Sequence, residues 1–290
     1  MKPPRFGYLA ATGMEQALEA LLTEDAKIIA GGQSLMPMLN FRLLRPSLLV
    51  DINRISELNG IEATPTGGLK IGALTRHYTI ETSALVRQRL PVLSSAVAHI
   101  GHLAIRNRGT LGGSLCHADP AAEHLLMAVL LEASLTIRSS AGDRTVAASD
   151  FITGALSTIL GPREILTTIE YPALAARTGW GFEECARRSG DFALVAAGVL
   201  IESEDNRVTR ARIAVAGGAD GPIRATQAES LLLGRACDAA ALDEVVEAVR
   251  ASFAPNVDLH ASAELRHHML GALLRRACTD AWQRSLGDKA

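Results

Sequence analysis

Apolar positions follow two regimes along the chain. As far as residue 172, short apolar runs alternate with helical spacing; beyond it, three long strand-like runs are followed only by helical ones. Thr12-Gly-Met-Glu15 has the form of a capping box, and Ala17, Leu18, Leu21 and Leu22 continue it at helical spacing. A short strand over 27–30 runs straight into Gly31-Gly32-Gln33-Ser34. Residues 35–44 predict a short helix closed by Pro46, and the brief apolar run 48–52 predicts a strand bounded by Pro46 and Asn53.

A second unit follows the turn-rich Thr64-Pro-Thr-Gly-Gly68, with a strand over 69–73, helices over 80–89 and 91–101, an apolar helix over 121–131, and strands over 133–138 and 165–171. Inside it, residues 104–123 are polar and glycine-dense. A loop so rich in special residues, flanked by packed elements, is a candidate site. The strand-like runs 179–187, 193–202 and 207–216, followed by helices from 225, predict a separate α+β domain. The expected boundary lies near 176: residues 1–176, in subdomains of about 1–55 and 56–176, then 177–290.

Composition narrows the function classes. The chain has 290 residues, 48% of them hydrophobic and 21% charged, with a formal net charge of −2, which excludes a disordered or fibrous protein. The longest uncharged apolar stretch, 193–201, falls well short of the roughly 20 residues a bilayer needs. Met1-Lys-Pro-Pro-Arg-Phe lacks a signal-peptide apolar core, so a cytoplasmic location is the default expectation. The 29 Lys and Arg side chains are scattered, which argues against a nucleic-acid partner. Cys116, Cys185, Cys237 and Cys278 stand far apart with no metal-ligand spacing, and read as small buried hydrophobes in a reducing compartment. Redox chemistry here needs a borrowed cofactor.

Two glycine pairs carry the candidate chemistry. Gly31-Gly32 and Gly112-Gly113 let backbone amides approach a ligand closely, and each is followed by a short polar side chain, Gln33-Ser34 and Ser114. Together they could cradle a pyrophosphate, or each could simply make a turn. Neither matches the Rossmann or P-loop pattern. Arg106 and Arg108 could steer phosphate or serve as solvated or subunit-contact charges. His99, His102, His267 and His268 read as helix-surface or interhelical hydrogen-bonding groups.

The strings Ala30-Gly-Gly-Gln-Ser-Leu-Met-Pro37 and Ile105-Arg-Asn-Arg-Gly-Thr-Leu-Gly-Gly-Ser114, followed by His117-Ala-Asp-Pro-Ala-Ala-Glu123, resemble the FAD-binding medium subunit of molybdenum hydroxylases. That family includes the carbon monoxide dehydrogenase flavoprotein and the flavin domain of xanthine dehydrogenase. The likeness continues through Glu170-Tyr-Pro172 and Ala186-Arg-Arg-Ser-Gly-Asp-Phe-Ala193 into the helical tail. It implies an α+β chain: a two-subdomain α/β FAD-binding domain of the PCMH type, then a three-stranded antiparallel sheet with a helical bundle.

By the same resemblance, Ala30, Gly31, Gly32, Gln33 and Ser34, with Thr110, Leu111, Gly112, Gly113 and Ser114, hold the FAD pyrophosphate through backbone amides. His117, Asp119 and Glu123 lie along the ribityl and ribose side. Ile100, Ile165 and Leu166 pack against the flavin or adenine rings, and the 187–192 loop lies beside the isoalloxazine. Ser114 replaces the family's frequent Asn or Asp, and Glu183 stands where the xanthine dehydrogenase branch has a lysine, which removes the basis for naming NAD as acceptor. Arg187 and Arg188 either stabilise reduced flavin or pair with Glu183 or Glu184.

The implied activity is that of an oxidoreductase subunit. Non-covalent FAD takes electrons from an Fe–S small subunit, next to a molybdopterin large subunit, in a dimer of heterotrimers, with no catalytic side chain and no metal on this chain. A self-contained FAD oxidase or dehydrogenase is the alternative, and a binding module that has lost its flavin a third.

Overall fold

The computed structural model describes residues 2–287. The chain opens with a three-stranded parallel sheet of β1 (Gly7–Ala10), β2 (Ala26–Ile29) and β3 (Leu48–Asp51) in the order β1-β3-β2. Helices α1 (Met14–Ala20) and α2 (Leu35–Asn40) make the crossovers that parallel strands require. β1 was not evident from the apolar pattern, because four residues with two exposed positions leave little signal. The expected capping box at Thr12 does not form. Gly13 is the N-cap, and the Gln16 amide oxygen instead reaches back to accept from the Thr12 amide at 2.9 Å. Helix α2 stops before Pro46 because Arg42 turns to φ 58°.

The second unit is built on a five-stranded sheet. Strands β4 (Ile61–Ala63) and β5 (Leu69–Gly72) come first. Helices α3 (His77–Thr82), α4 (Ala84–Arg89), α5 (Pro91–Val97), α6 (Leu103–Arg106), α7 (Leu111–His117) and α8 (Glu123–Leu130) follow. Then come β6 (Ser134–Ser139), β7 (Gly142–Ala147), α9 (Ala148–Phe151), the small hairpin β8 (Ile152–Gly154) and β9 (Ser157–Thr158), and β10 (Ile165–Tyr171). The sheet order is β4-β5-β10-β6-β7. The single helix expected over 80–89 is divided at Ser83, whose extended backbone ends α3 and whose hydroxyl accepts from the Val86 amide to start α4. The glycine-rich stretch expected as loop contains α6 and α7.

The third unit holds β11 (Gly179–Ala186), β12 (Ala193–Glu204), β13 (Arg207–Ala216) and the two-residue edge strand β14 (Ile223–Arg224) in one antiparallel sheet, followed by α10 (Thr226–Leu232), α11 (Ala239–Ser252) and α12 (Ala263–Ser285). The three long strands are those expected, and β14 adds a short fourth.

Side-chain alternation along β12 explains its unbroken apolar run. Val195, Ala197, Val199 and Ile201 enter a core with the three carboxyl-terminal helices, while Ala196 and Leu200 enter the core around α8. Every residue of α8 is buried, because the helix lies between the two sheets. The core of the first unit is completed from outside it, by Leu74 and Ile165. Among the described residues no helix is long and apolar enough to cross a membrane.

Candidate functional site

A cavity of about 320 Å³ opens beyond the carboxyl ends of β2 and β3, where an α/β sheet leaves backbone groups free for a ligand. Ile29, Ala30, Gly31, Gly32, Gln33, Met36, Pro37, Asp51, Asn53 and Arg108 line it. The amides of Gly31, Gly32, Gln33 and Ser34 donate to no acceptor elsewhere in the described chain. Four consecutive unsatisfied donors next to a guanidinium suit an anion with many acceptor oxygens. Gly32 adopts φ 72°, which a side chain disfavours, and the Gln33 side-chain amide closes the turn by donating to the Gly31 carbonyl at 3.0 Å.

The loop is braced from β3. Asn53 donates to the Ala30 carbonyl at 2.8 Å and to Asp51 at 2.6 Å, and accepts from Arg76 at 2.6 Å. Arg76 also donates to the Arg108 carbonyl, tying the two loops together. Asp51 accepts from the Tyr8 hydroxyl at 2.6 Å and from the Asn53 amide. Burial alone raises the Asp51 pKa, but the hydrogen bonds from Tyr8 and Asn53 outweigh it and hold the carboxyl below its ordinary range.

The second glycine pair plays a different part from the first. The amides of Leu111, Gly112, Gly113 and Ser114 are already used, by the carbonyls of Thr75, Ala73 and Thr110 and by the Thr110 hydroxyl. A Cβ on Gly112 would sit 2.5 Å from that of Ala73, and one on Gly31 would fall on the Arg108 carbonyl with the Gly109 Cα at 2.8 Å. These two glycines let the loops touch, with Gly113 approaching Ala30. Beneath them lies a buried pair, the His124 and His77 rings in hydrogen-bond contact at 2.9 Å. Burial drives His77 down to about 4, and His124 well below its ordinary value.

The remaining expected residues do not line this cavity. His117 ends α7, and Asp119 accepts from the Ala121 amide in the turn that follows. Ile100 is half-buried against the central core; Ile165 and Leu166 are buried in the first and central cores respectively. Glu123, at the start of α8, is buried near Glu184, and its carboxyl is pushed up to about 8 by burial first and the Glu184 charge second. Glu184 is paired with His99 at 3.4 Å, and Glu183 faces Arg276 at 3.8 Å. Arg187 contacts His260 at 2.9 Å, so it makes neither of the carboxylate pairs considered for it. His267 makes the expected interhelical bond, to the Phe253 carbonyl.

Sequence reading missed Asp51, Asn53 and Arg76. Their signal was positional: a polar Asp-Ile-Asn at the carboxyl end of a parallel strand stands where α/β sheets take ligands.

Residues 4–174 match the family described as FAD binding domain in molybdopterin dehydrogenase, and residues 180–281 match the CO dehydrogenase flavoprotein C-terminal domain. The chain is 40% identical to the alpha subunit of the 6-hydroxypseudooxynicotine dehydrogenase complex of Paenarthrobacter nicotinovorans, over 98% of this chain and 97% of that one. It is 37% identical to the carbon monoxide dehydrogenase medium chain of Hydrogenophaga pseudoflava, over 98% and 99%. Among solved structures, carbon monoxide dehydrogenase from the same organism superposes with a TM-score of 0.95 at 38% identity, covering 98% of this chain and 99% of that one. Quinoline 2-oxidoreductase from Pseudomonas putida 86 superposes at 0.94, also at 38% identity, over 99% of each chain.

Proposed function

The chain belongs to the FAD-binding subunit family of the molybdopterin dehydrogenases, and on that premise we propose that it is the electron-transferring flavin subunit of a heterotrimeric molybdenum hydroxylase. It takes electrons from an Fe–S small subunit and passes them to an external acceptor, while a molybdopterin large subunit oxidises the substrate. The observation that carries this reading is the run of free amides from Gly31 to Ser34 beside Arg108.

Bound FAD supplies the redox chemistry, accepting electrons singly and releasing them singly or in pairs. The chain's own residues bind and orient it. Gly31, Gly32, Gln33 and Ser34 donate to the pyrophosphate with Arg108 opposite, and Asp51 offers its carboxylate to a ribose hydroxyl. Thr110, Leu111, Gly112, Gly113 and Ser114 form the packed wall that holds the first loop in place, with the Ser114 hydroxyl available to the phosphates. Ala30 carries the loop on its Asn53 bond. His117, Asp119 and Glu123 follow along the polyol, and Ile100, Ile165 and Leu166 shape the apolar ends. The FAD-binding domain ends near 176.

Partner contact is supported by Phe41 and Leu43, 67% and 69% exposed directly after the cofactor-loop helix α2, and by Phe192, 68% exposed. We place partner subunits against these side chains, with the Fe–S subunit among them, within a dimer of heterotrimers in the cytoplasm. Acid precipitation of the purified chain is expected to release FAD stoichiometrically, consistent with non-covalent binding. Co-expression with the genetically adjacent subunits is expected to make flavin reduction by substrate depend on both. Rapid reduction of the isolated chain by a small organic substrate would instead establish a self-contained oxidase.

A further inference from the structure

Where the FAD-binding part meets the carboxyl-terminal part, β11 sets Glu184 against His99, just beyond α5, and near Glu123, which starts α8. The Glu184 side chain is only 5% exposed. One of its oxygens lies 3.4 Å from His99 Nδ1, and the other is buried without a donor. His99 is 43% exposed and rests edge-on against Phe182, so a single imidazole joins the buried carboxylate to water.

Other nearby charges are already committed. Glu183 faces Arg276, Asp119 is held by the Ala121 amide, and Arg106 pairs with Glu81 at 2.8 Å while donating to the Ile100 and Gly101 carbonyls. Among the described residues neither Glu123 nor Glu184 pairs with an arginine or lysine. Two buried carboxyls and one wet imidazole therefore stand together without a permanent cation among them.

Two chain segments connect this cluster to the phosphate loop. From His99 the chain passes through α6 to Arg108 in the cavity wall, and from Gly113, beside Ala30, α7 leads over about 6 Å to His117 and then Glu123. The 187–192 loop closes over the same place, with Gly190 seated against Gly101 and His102.

We propose that His99, Glu184 and Glu123 form a proton-holding cluster that serves the ring end of the bound FAD, taking up one proton as the flavin takes electrons. The inference rests on the function proposed above. Two electrons and one proton added to the ring leave it with one negative charge. A second proton, drawn from water through His99 onto the cluster, offsets that charge, and only O–H or N–H bonds form. In the complex the Fe–S subunit supplies the electrons. The bond to Glu184 raises the His99 pKa, and burial pushes the Glu123 carboxyl up to about 8, so Glu123 is placed to exchange a proton in mildly alkaline solution.

The test uses the FAD-loaded chain, titrated with dithionite and indicator dyes from pH 7 to 9. The slope of the flavin midpoint potential against pH gives the protons taken up per two electrons. Wild type and the conservative E184D variant are expected to take up close to one proton more than the E123Q/E184Q double variant, with H99Q in between. A fold defect in the double variant is met by H99Q alone, whose ring lies half in solvent. Equal slopes in wild type and H99Q, or in wild type and a folded double variant, overturn the inference and leave the proposed function standing. A wild-type chain that takes up no FAD overturns both.

Discussion

At Gly31 and Gly32, neighbouring residues are glycine for unlike reasons, and their substitutions should separate. Gly31 is pressed onto the Arg108–Gly109 backbone, so Gly31→Val should cost roughly 1–3 kcal/mol or more through overpacking and lower both the melting temperature and the FAD content. Gly32 has room for a methyl group but sits at φ 72°, so Gly32→Ala should cost only about 1–2 kcal/mol in stability. Its FAD affinity should fall further than its melting temperature suggests, measured by flavin fluorescence titration. Gly112→Val belongs with Gly31, because Ala73 leaves no space for it. Asn53→Ala removes the brace on Ala30 and the acceptor for Arg76, and should weaken FAD binding about 5- to 30-fold, the equivalent of roughly 1–2 kcal/mol. The glycine strings made the first loop legible from sequence alone. Asn53 was not legible, because its role comes from a carbonyl 23 positions away that only folding brings into reach.

Among the elements, α3 and α8 meet through the His77–His124 contact under the second loop. His77 titrates at about 4 in the folded chain and near 6.5 when unfolded, so between those values the unfolded chain binds the extra proton. The stability this pair supports is complete above pH 6.5 and is lost as pH falls towards 4. The unfolding free energy from urea titration should drop across that window, by on the order of 3 kcal/mol for His77, and the drop should flatten in His77→Gln. Glu123 acts in the opposite sense. Its folded value of about 8 exceeds the unfolded 4.5, so its contribution is complete below pH 4.5 and is lost as pH rises through 8. Glu123→Gln should therefore gain on wild type in urea at pH 8 relative to pH 5. Long elements were readable: β11 to β13 and the carboxyl-terminal helices follow from apolar period and length. Short ones were not, since the break at Ser83 and the four-residue α6 depend on local hydrogen bonds rather than on a repeating face.

For the whole molecule, the corner after α8 binds the two cores together through Glu132, held at φ 56° and paired with Arg210 and Arg212 of β13 and Arg224 of β14. Arg212 is 3% exposed, so Glu132→Ala leaves a buried guanidinium without its partner. Because Glu132 itself is partly exposed, the expected cost is moderated to roughly 1.5–3 kcal/mol. A single urea transition in wild type should split into two in the variant, as followed by Trp180 fluorescence and circular dichroism. The order of the two units was legible in the sequence, but this clamp was not, because its arginines stand about 80 or more positions from Glu132. Ile165 has a consequence of another kind. The first sheet depends on that side chain to close its core, so on the ribosome the opening segment must wait, incompletely buried, until residue 165 has left the exit tunnel. Cofactor loading is thus a late event in the chain's synthesis, and a nascent polypeptide stalled short of β10 should remain protease-sensitive from its first residues however much flavin is supplied.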